Sequence, residues 1–314
     1  MREAGRGYRL LTRRRVLQGA GAVALSGVST GAYATGIEPF RQVVTRYAIT
    51  PNPAAPWPAG LTLRIAVLTD IHACEPWMSA ERIAGIVAAT NALGADLVVL
   101  VGDFMAGQRY VTRTVPAAEW APVLGRLTAP LGVYAVLGNH DWWEDKEALR
   151  RGHGPTIAGT ALSENGIRVL SNEAVPLATK AGPVWLAGLE DQLALLPVRR
   201  RTGQGRVGLH DLPKTLAAVP DGAPVILLAH EPDIFARVPA RVALTLSGHT
   251  HGGQVRLFGW SPVVASRNPR YVYGHVREAS DLVISGGLGL SIAPIRIGVP
   301  PEIVVVELGA GASV

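Results

Sequence analysis

This sequence predicts an α/β fold with a largely buried sheet, on three observations. Apolar runs rich in Val, Ile and Leu recur at 61–68, 96–101, 133–137, 224–229 and 242–246, and runs this apolar suit strands covered on both faces. Stretches with helical spacing separate the early ones, which is the alternation of a βαβ chain. Each run also stops at a short cluster of polar residues, where ligands bind in an open α/β sheet.

The chain has 314 residues, enough for one sizeable core and a domain of about 250 residues. Its net charge of +6 is unevenly spread: Arg2, Arg6, Arg9, Arg13, Arg14 and Arg15 face a single Glu3 within residues 1–34. The remainder is close to neutral, so the basic balance makes no case for nucleic acid as a partner. One cysteine, Cys74, excludes an intramolecular disulfide.

Residues 1–34 follow the plan of an export signal. A charged start at 12–18 precedes a short Gly/Ala-rich apolar run at 19–28, and Ala32-Tyr33-Ala34 supplies a small-x-small exit. Paired arginines ahead of a weakly apolar centre resemble a twin-arginine signal. The expectation is cleavage after Ala34 and residence in the periplasm or cell envelope, with a basic tail or an uncleaved membrane anchor as alternatives. Pro51, Pro53, Pro56 and Pro58 make 35–60 a linker, leaving a folded domain over 61–308 and a tail at 309–314.

The first strand, 61–68, runs into Thr69-Asp70-Ile71-His72. Asp and His two apart on an extended segment point to one side and reach one cation. A helix over 79–93 follows, with Ser79 as N-cap, and the strand at 96–101 ends in Gly102-Asp103. A helix over 117–127 leads to the strand at 133–137, which stops at Gly138-Asn139-His140-Asp141. Beyond it, Trp142 and Trp143 divide between core packing and a wall for an apolar substrate group. Cys74, close to His72, reads as packing rather than as a ligand.

Residues 155–165 read as a helix ending at Asn165-Gly166, followed by strands at 167–170 and 184–189. Glu190 and Asp191 end the latter, either as strand-end carboxylates or in a solvated turn. Arg199, Arg200 and Arg201 read as an exposed loop, with contact to an anionic substrate as the alternative. The strand at 224–229 ends in His230, and that at 242–246 in Ser247-Gly248-His249-Thr250-His251. A long loop at 252–270 lies near these ends, and strands at 281–285 and 302–308 complete the sheet. His153, His210 and His275 lack a strand-end setting and read as surface or packing residues.

Five of the eight histidines thus fall at strand ends, together with Asp70, Asp103 and Asn139. Oxygen and nitrogen donors without a thiolate suit Mn, Fe or Zn. Seven candidate ligands exceed one four-coordinate ion and suit two ions sharing a carboxylate.

Asp70-Ile71-His72, Gly102-Asp103, Gly138-Asn139-His140-Asp141, His230 and Gly248-His249-Thr250-His251 resemble the signature blocks of the calcineurin-like metallophosphoesterases, over residues 61–308. The stretch 248–257 and the late Ile295-Arg296-Ile297 with Pro300-Pro301-Glu302-Ile303 are similar to a bacterial phosphodiesterase branch. That branch includes twin-arginine-exported members and relatives linked to lipid A precursor cleavage. The resemblance implies a four-layer α/β/β/α sandwich and two divalent metal ions. One ion would be held by Asp70, His72, Asp103 and His251, the other by Asp103, Asn139, His230 and His249. It further implies attack on a phosphoester by metal-bound hydroxide, with His140 catalytic and Asp141 orienting it. The substrate would be an envelope phosphodiester or pyrophosphate lipid, and peripheral membrane association would fit it. A phosphomonoesterase on the same centre and a non-catalytic metal-binding module are the alternatives.

Overall fold

The computed structural model describes residues 12–195 and 208–310. Two six-stranded sheets make up its centre. The first runs in the order Val43–Ile49, Glu302–Leu308, Leu63–Leu68, Leu97–Val101, Val133–Val136 and Arg168–Val169. The second runs Gly274–Arg277, Asp281–Ile284, Val242–Ser247, Val225–Leu228, Gly182–Gly188 and Glu173–Thr179. Leu63–Leu68, Leu97–Val101 and Val133–Val136 are mutually parallel, as are Val225–Leu228 and Val242–Ser247. Their carboxyl ends therefore leave each sheet on one side, which is what brings the polar clusters together.

The layering follows from the two-residue period of a strand. Ile65 and Val67 face the second sheet, where they join Val99, Val101, Ile226, Leu228, Leu244 and Leu246 in one apolar cluster. Ala66 and Leu68 face the other way and pack with Ile83, Ile86, Trp120 and Leu124 of the helices Ala80–Ala92 and Ala117–Leu124. Val225 and Leu227 cover the outer face of the second sheet, with Leu212 and Leu216 of the helix Leu212–Ala217 and with Phe235. Three apolar interfaces define four layers, helices outside and sheets inside. At roughly 1.5–3 kcal/mol per fully buried aliphatic side chain, these interfaces dominate the stability.

Three sheet strands depart from the sequence expectation, one of them Gly274–Arg277, which closes the edge of the second sheet beside Asp281–Ile284. The domain does not begin at Leu61: Val43–Ile49 pairs in parallel with Glu302–Leu308, and Ile49 is buried. The expected linker over 35–60 thus contains an edge strand, whose half-exposed alternation and Arg46 are what an edge tolerates. Glu173–Thr179 was not anticipated because Pro176 argues against a strand. It closes the far edge of the second sheet, antiparallel to Gly182–Gly188, and an edge position accommodates proline.

Arg13–Gly36 forms one helix. Its end is tied to the domain by Ala34, which is buried and whose carbonyl accepts a hydrogen bond from Arg296 N at 2.9 Å. No helix among the described residues is long and apolar enough to cross a membrane. The expected arginine loop at 199–201, like residues 1–11 and 311–314, lies outside the described residues.

Candidate metal centre

Asp70, His72, Asp103, His249 and His251 all adopt positive φ, between 47° and 67°. For residues with a Cβ this costs on the order of 1–2 kcal/mol each, and such outliers cluster at functional sites. Asp70 and His72 therefore do not converge by lying on an extended segment, as their spacing suggests. They converge because the first strand-end loop turns sharply and is zipped to the second: Asp70 N donates to Gly102 O, His72 N to Asp103 O and Ala73 N to Phe104 O, at 2.9–3.0 Å. Gly102, with φ of 83°, is required at the crossing; a Cβ there would lie 2.5 Å from His230 Nδ1 and 2.7 Å from Gly138 N.

Two groups of ligand atoms result, Asp70/His72/His251 and Asp103/His230/His249, with the atoms in each within 4.8 Å of one another. His72 Nε2 lies 3.1 Å from His251 Nε2, and His251 Nε2 lies 3.3 Å from Asp70 Oδ1. Asp103 Oδ2 faces both groups, 3.2 Å from His230 Nε2 and 3.6 Å from His72 Nε2. One carboxylate oxygen is thus placed between the two sets.

The surrounding backbone fixes which imidazole nitrogens point inward. His72 Nδ1 donates to Met105 O at 2.8 Å, and His230 Nδ1 donates to Val101 O at 2.7 Å. Each leaves its Nε2 toward the centre, the arrangement that second-shell carbonyls impose on metal-binding histidines. Asn139 Oδ1 is buried without a hydrogen-bond partner, and a buried oxygen left unpaired here suits a cation.

The charges agree. Burial holds the His72 imidazole down to about 3, and burial also lowers His249, so both stay neutral and can act as ligands. Asp70 is held below the usual carboxylate range: burial opposes this, but His251 and His230 outweigh it. Asp103 is likewise low, with burial outweighed by His230, His140 and His72. Two ionised carboxylates in a buried shell of imidazoles demand positive charge. The residues present therefore fit a dinuclear divalent centre.

His140 lies at the mouth of the centre, its amide donating to Asp103 Oδ1 at 2.8 Å. Asp141 does not orient His140, because all its capacity is used by four backbone amides: Phe104 and Met105 on Oδ1, Asp103 and Gly138 on Oδ2, at 2.8–3.1 Å. The acid nearest His140 Nδ1 is Glu144, at 3.8 Å, one turn along the same short helical stretch. Burial works against a charged His140, yet Asp103, Glu144 and Asp141 raise its pKa above the ordinary value.

Trp142 is buried with its Nε1 donating to Glu190 at 3.1 Å, whereas Trp143 lines the pocket over the centre. Glu190 and Asp191 are buried rather than in a solvated turn. With buried Glu231 they brace the loop carrying Leu193: Asp191 Oδ1 accepts from Leu193 N at 2.7 Å, and Glu231 Oε2 from Gln192 N at 3.0 Å. Burial, then the Glu231 charge, pushes the Asp191 carboxyl well up.

Arg296 is the other residue whose role the sequence did not disclose. It is fully buried, bonded through its guanidinium to the carbonyls of Gly286, Gly287, Gly289 and Val299, with Nη2 3.3 Å from His251 Nδ1. It holds the 286–289 segment against Asp70. Its only sequence signal was its place in the late Ile-Arg-Ile stretch. Of the histidines outside the centre, His275 pairs with Asp281 at 2.7 Å and His210 with Arg237 at 2.8 Å, while His153 contacts Gly154 O. Cys74 is buried, and burial raises its thiol to about 11.

A four-layer α/β/β/α sandwich with two histidine–carboxylate groups where its strands end defines a metal-dependent hydrolase of phosphoesters. The chain belongs to the calcineurin-like phosphoesterases, whose family model matches residues 63–253. It is 27% identical over 307 residues to the uncharacterized metallophosphoesterase YkuE of Bacillus subtilis, covering 95% of this chain and 98% of that one. An uncharacterized metallophosphoesterase of Aquifex aeolicus is 28% identical over 281 residues, 90% of this chain and 97% of its own. The zebrafish (Danio rerio) transmembrane protein with metallophosphoesterase domain is 33% identical over 250 residues, 77% of this chain. The chain spans only about half of that protein's length (52%).

Proposed function

We propose that this enzyme is a phosphodiesterase that cleaves a lipid-linked phosphodiester or pyrophosphate in the cell envelope. The observation that carries the diester reading is the form of the cleft. A pocket of about 680 Å³ over Asp103, Asn139, His140 and His249 is walled by Trp143, Leu193 and Ile292. It continues past Leu193, Asp233 and Arg267 into a second pocket of about 740 Å³ that those residues also line. A phosphoryl group at the centre would have more room beside it, in the two joined pockets, than a monoester needs. The apolar walls favour a lipid-like group, and Arg267, where the two pockets join, favours a second anionic group.

In this reading Asp70, His72, Asp103 and His251 would hold one divalent ion, and Asp103, Asn139, His230 and His249 the other. Such a centre would supply a more acidic water and positive charge beside the phosphoryl oxygens. His140, whose charged form is favoured by its acidic neighbours against its burial, is placed to give a proton to the leaving oxygen. Arg267 and the Trp143 wall orient the substituents. Export through the 1–34 segment would deliver the folded enzyme to the envelope, and the zebrafish relative's transmembrane name supports a setting beside a bilayer.

The full chain loaded with Mn, Fe or Zn should hydrolyse bis(p-nitrophenyl) phosphate with kcat/KM at least about tenfold above that for p-nitrophenyl phosphate, a margin of roughly 1.4 kcal/mol. A preference for the monoester would overturn the diester reading. His140→Ala should lower kcat on an alkyl diester by about 10²–10⁴-fold, the range of general acid catalysis. The loss on a p-nitrophenyl diester should be much smaller, because that leaving group needs little protonation. Equal losses on both, with metal content unchanged, would assign His140 to charge stabilisation instead.

A further inference from the structure

The 252–270 loop carries features that the catalytic centre does not use. Residues 257–260 close a tight turn, Leu257 N donating to Trp260 O at 2.8 Å and Trp260 N to Leu257 O at 3.0 Å. Phe258 and Gly259 sit at its tip with φ of 52° and 84°, the pattern of a type I′ turn. Asn or Asp normally fills the first of these positions; here a phenylalanine adopts the left-handed conformation with its ring fully exposed (109%). Trp260 is 66% exposed and Val263 67%. Strain and full exposure of a large aromatic have no packing explanation, and grouped exposed apolar side chains mark an interaction surface.

Directly behind the turn lies a pocket of about 360 Å³ lined by Arg256, Arg267, Arg270 and Trp260, with no carboxylate among its lining residues. Arg270 pairs outward with Glu278 at 2.8 Å, and Arg256 stacks over Tyr273. Asp233 is occupied by the backbone amide of Arg267 and by Ser266 Oγ, and it fixes the loop. Among the described residues, no acidic side chain pairs with the Arg267 guanidinium. Val264, Ser266 and Arg267 line both this pocket and the catalytic one, so the two adjoin.

The turn also shares a rim with the catalytic mouth. Gln254 bonds Ser291 N at 2.7 Å and Ala293 O at 3.0 Å, and Arg256 N donates to Ile297 O at 2.8 Å. Between these anchors Ile292, 72% exposed, lines the catalytic pocket.

We infer that this rim is a membrane-docking surface: Phe258 and Trp260 enter the interface of an anionic bilayer while Arg256 and Arg270 take its phosphate headgroups and Arg267 stands where the two pockets join, so that the catalytic pocket opens at the lipid surface. The occupant follows from chemistry. A tryptophan ring settles at the headgroup level of membranes and a phenylalanine enters the apolar side of that boundary, and three arginines round a pocket lined by no carboxylate match an anionic leaflet. The surface gives the lipid-linked substrate a place to be met and rests on that reading for its setting; the binding itself needs no turnover.

The test is sedimentation of the full chain with vesicles of phosphatidylcholine alone and with vesicles of equal parts phosphatidylglycerol and phosphatidylcholine. Binding should be about tenfold or more tighter to the anionic vesicles and weaken with salt. Phe258→Ser/Trp260→Ser, and separately Arg256→Gln/Arg270→Gln, should each lose about tenfold or more in vesicle affinity. The aromatic variant should hydrolyse a soluble diester at the wild-type rate, which shows that it is folded. Undiminished vesicle binding by either variant, equal binding to both vesicle types, or no binding by the wild-type chain would each overturn the assignment. Failure of the diester assay alone would leave the vesicle result standing, so the two readings fail separately.

Discussion

Asp103→Asn is expected to remove turnover while leaving the fold in place. Asp103 is the residue whose Oδ2 faces both ligand groups, 3.2 Å from His230 and 3.6 Å from His72. An amide retains the shape and one carbonyl, so the His140 amide can keep its acceptor at Oδ1. The lost charge is what matters: a neutral oxygen cannot hold two cations at one point in a buried setting. The loss in kcat should be about 10²–10³-fold or more, the scale set by removing one preorganised electrostatic group. Metal analysis should find fewer than two ions per chain, with the melting temperature of the metal-free protein little changed. Two bound ions and near-wild-type hydrolysis would remove Asp103 from its shared position.

Asp141→Asn should act on stability rather than on proton transfer. Burial, then the Asp103 charge, pushes the Asp141 carboxyl up to about 7, but it accepts four backbone amides, a shell of donors that favours its ionised form and has no place for an NH₂ group. Asparagine offers one oxygen, so the amides on the other side lose their acceptor and face a donor. Each unsatisfied buried group costs about 1–3 kcal/mol, so a loss of about 3 kcal/mol or more is expected, on the order of 10 °C in melting temperature for a domain this size. Activity should fall with it, because Met105 O, which holds His72 Nδ1, sits on the loop that Asp141 secures. An unchanged melting temperature with an altered pH–rate profile would return Asp141 to a role as partner of His140.

These variants separate what chain order encodes from what packing decides. The central strands were legible because each is buried on both faces: Ile65 and Val67 serve one interface, Ala66 and Leu68 the next, so the whole run must be apolar. The site residues were legible because an imidazole or carboxylate directly after such a run has no reason to be there in a packed core. Val43–Ile49 was obscured because an edge strand needs only one covered face, and it lies before a proline-rich stretch that reads as a boundary. Glu173–Thr179 was obscured by Pro176, which only an edge position permits.

Composition and periodicity alone thus determined the α/β class, the buried strands, and which side chains would stand at their ends. Tertiary structure alone decided how those side chains are used. Asp103 lies between the two groups because strand ends of the two sheets meet there. Asp141 became a clasp for backbone amides because the 103–105 loop passes beside it, and buried Arg296 came to brace Asp70 and His251 from a distant stretch of chain. The reason is range: strand period and turn chemistry are set by neighbours a few residues away. A hydrogen-bond partner is set by which segments the closed sandwich brings within about 3 Å, and no local pattern carries that information.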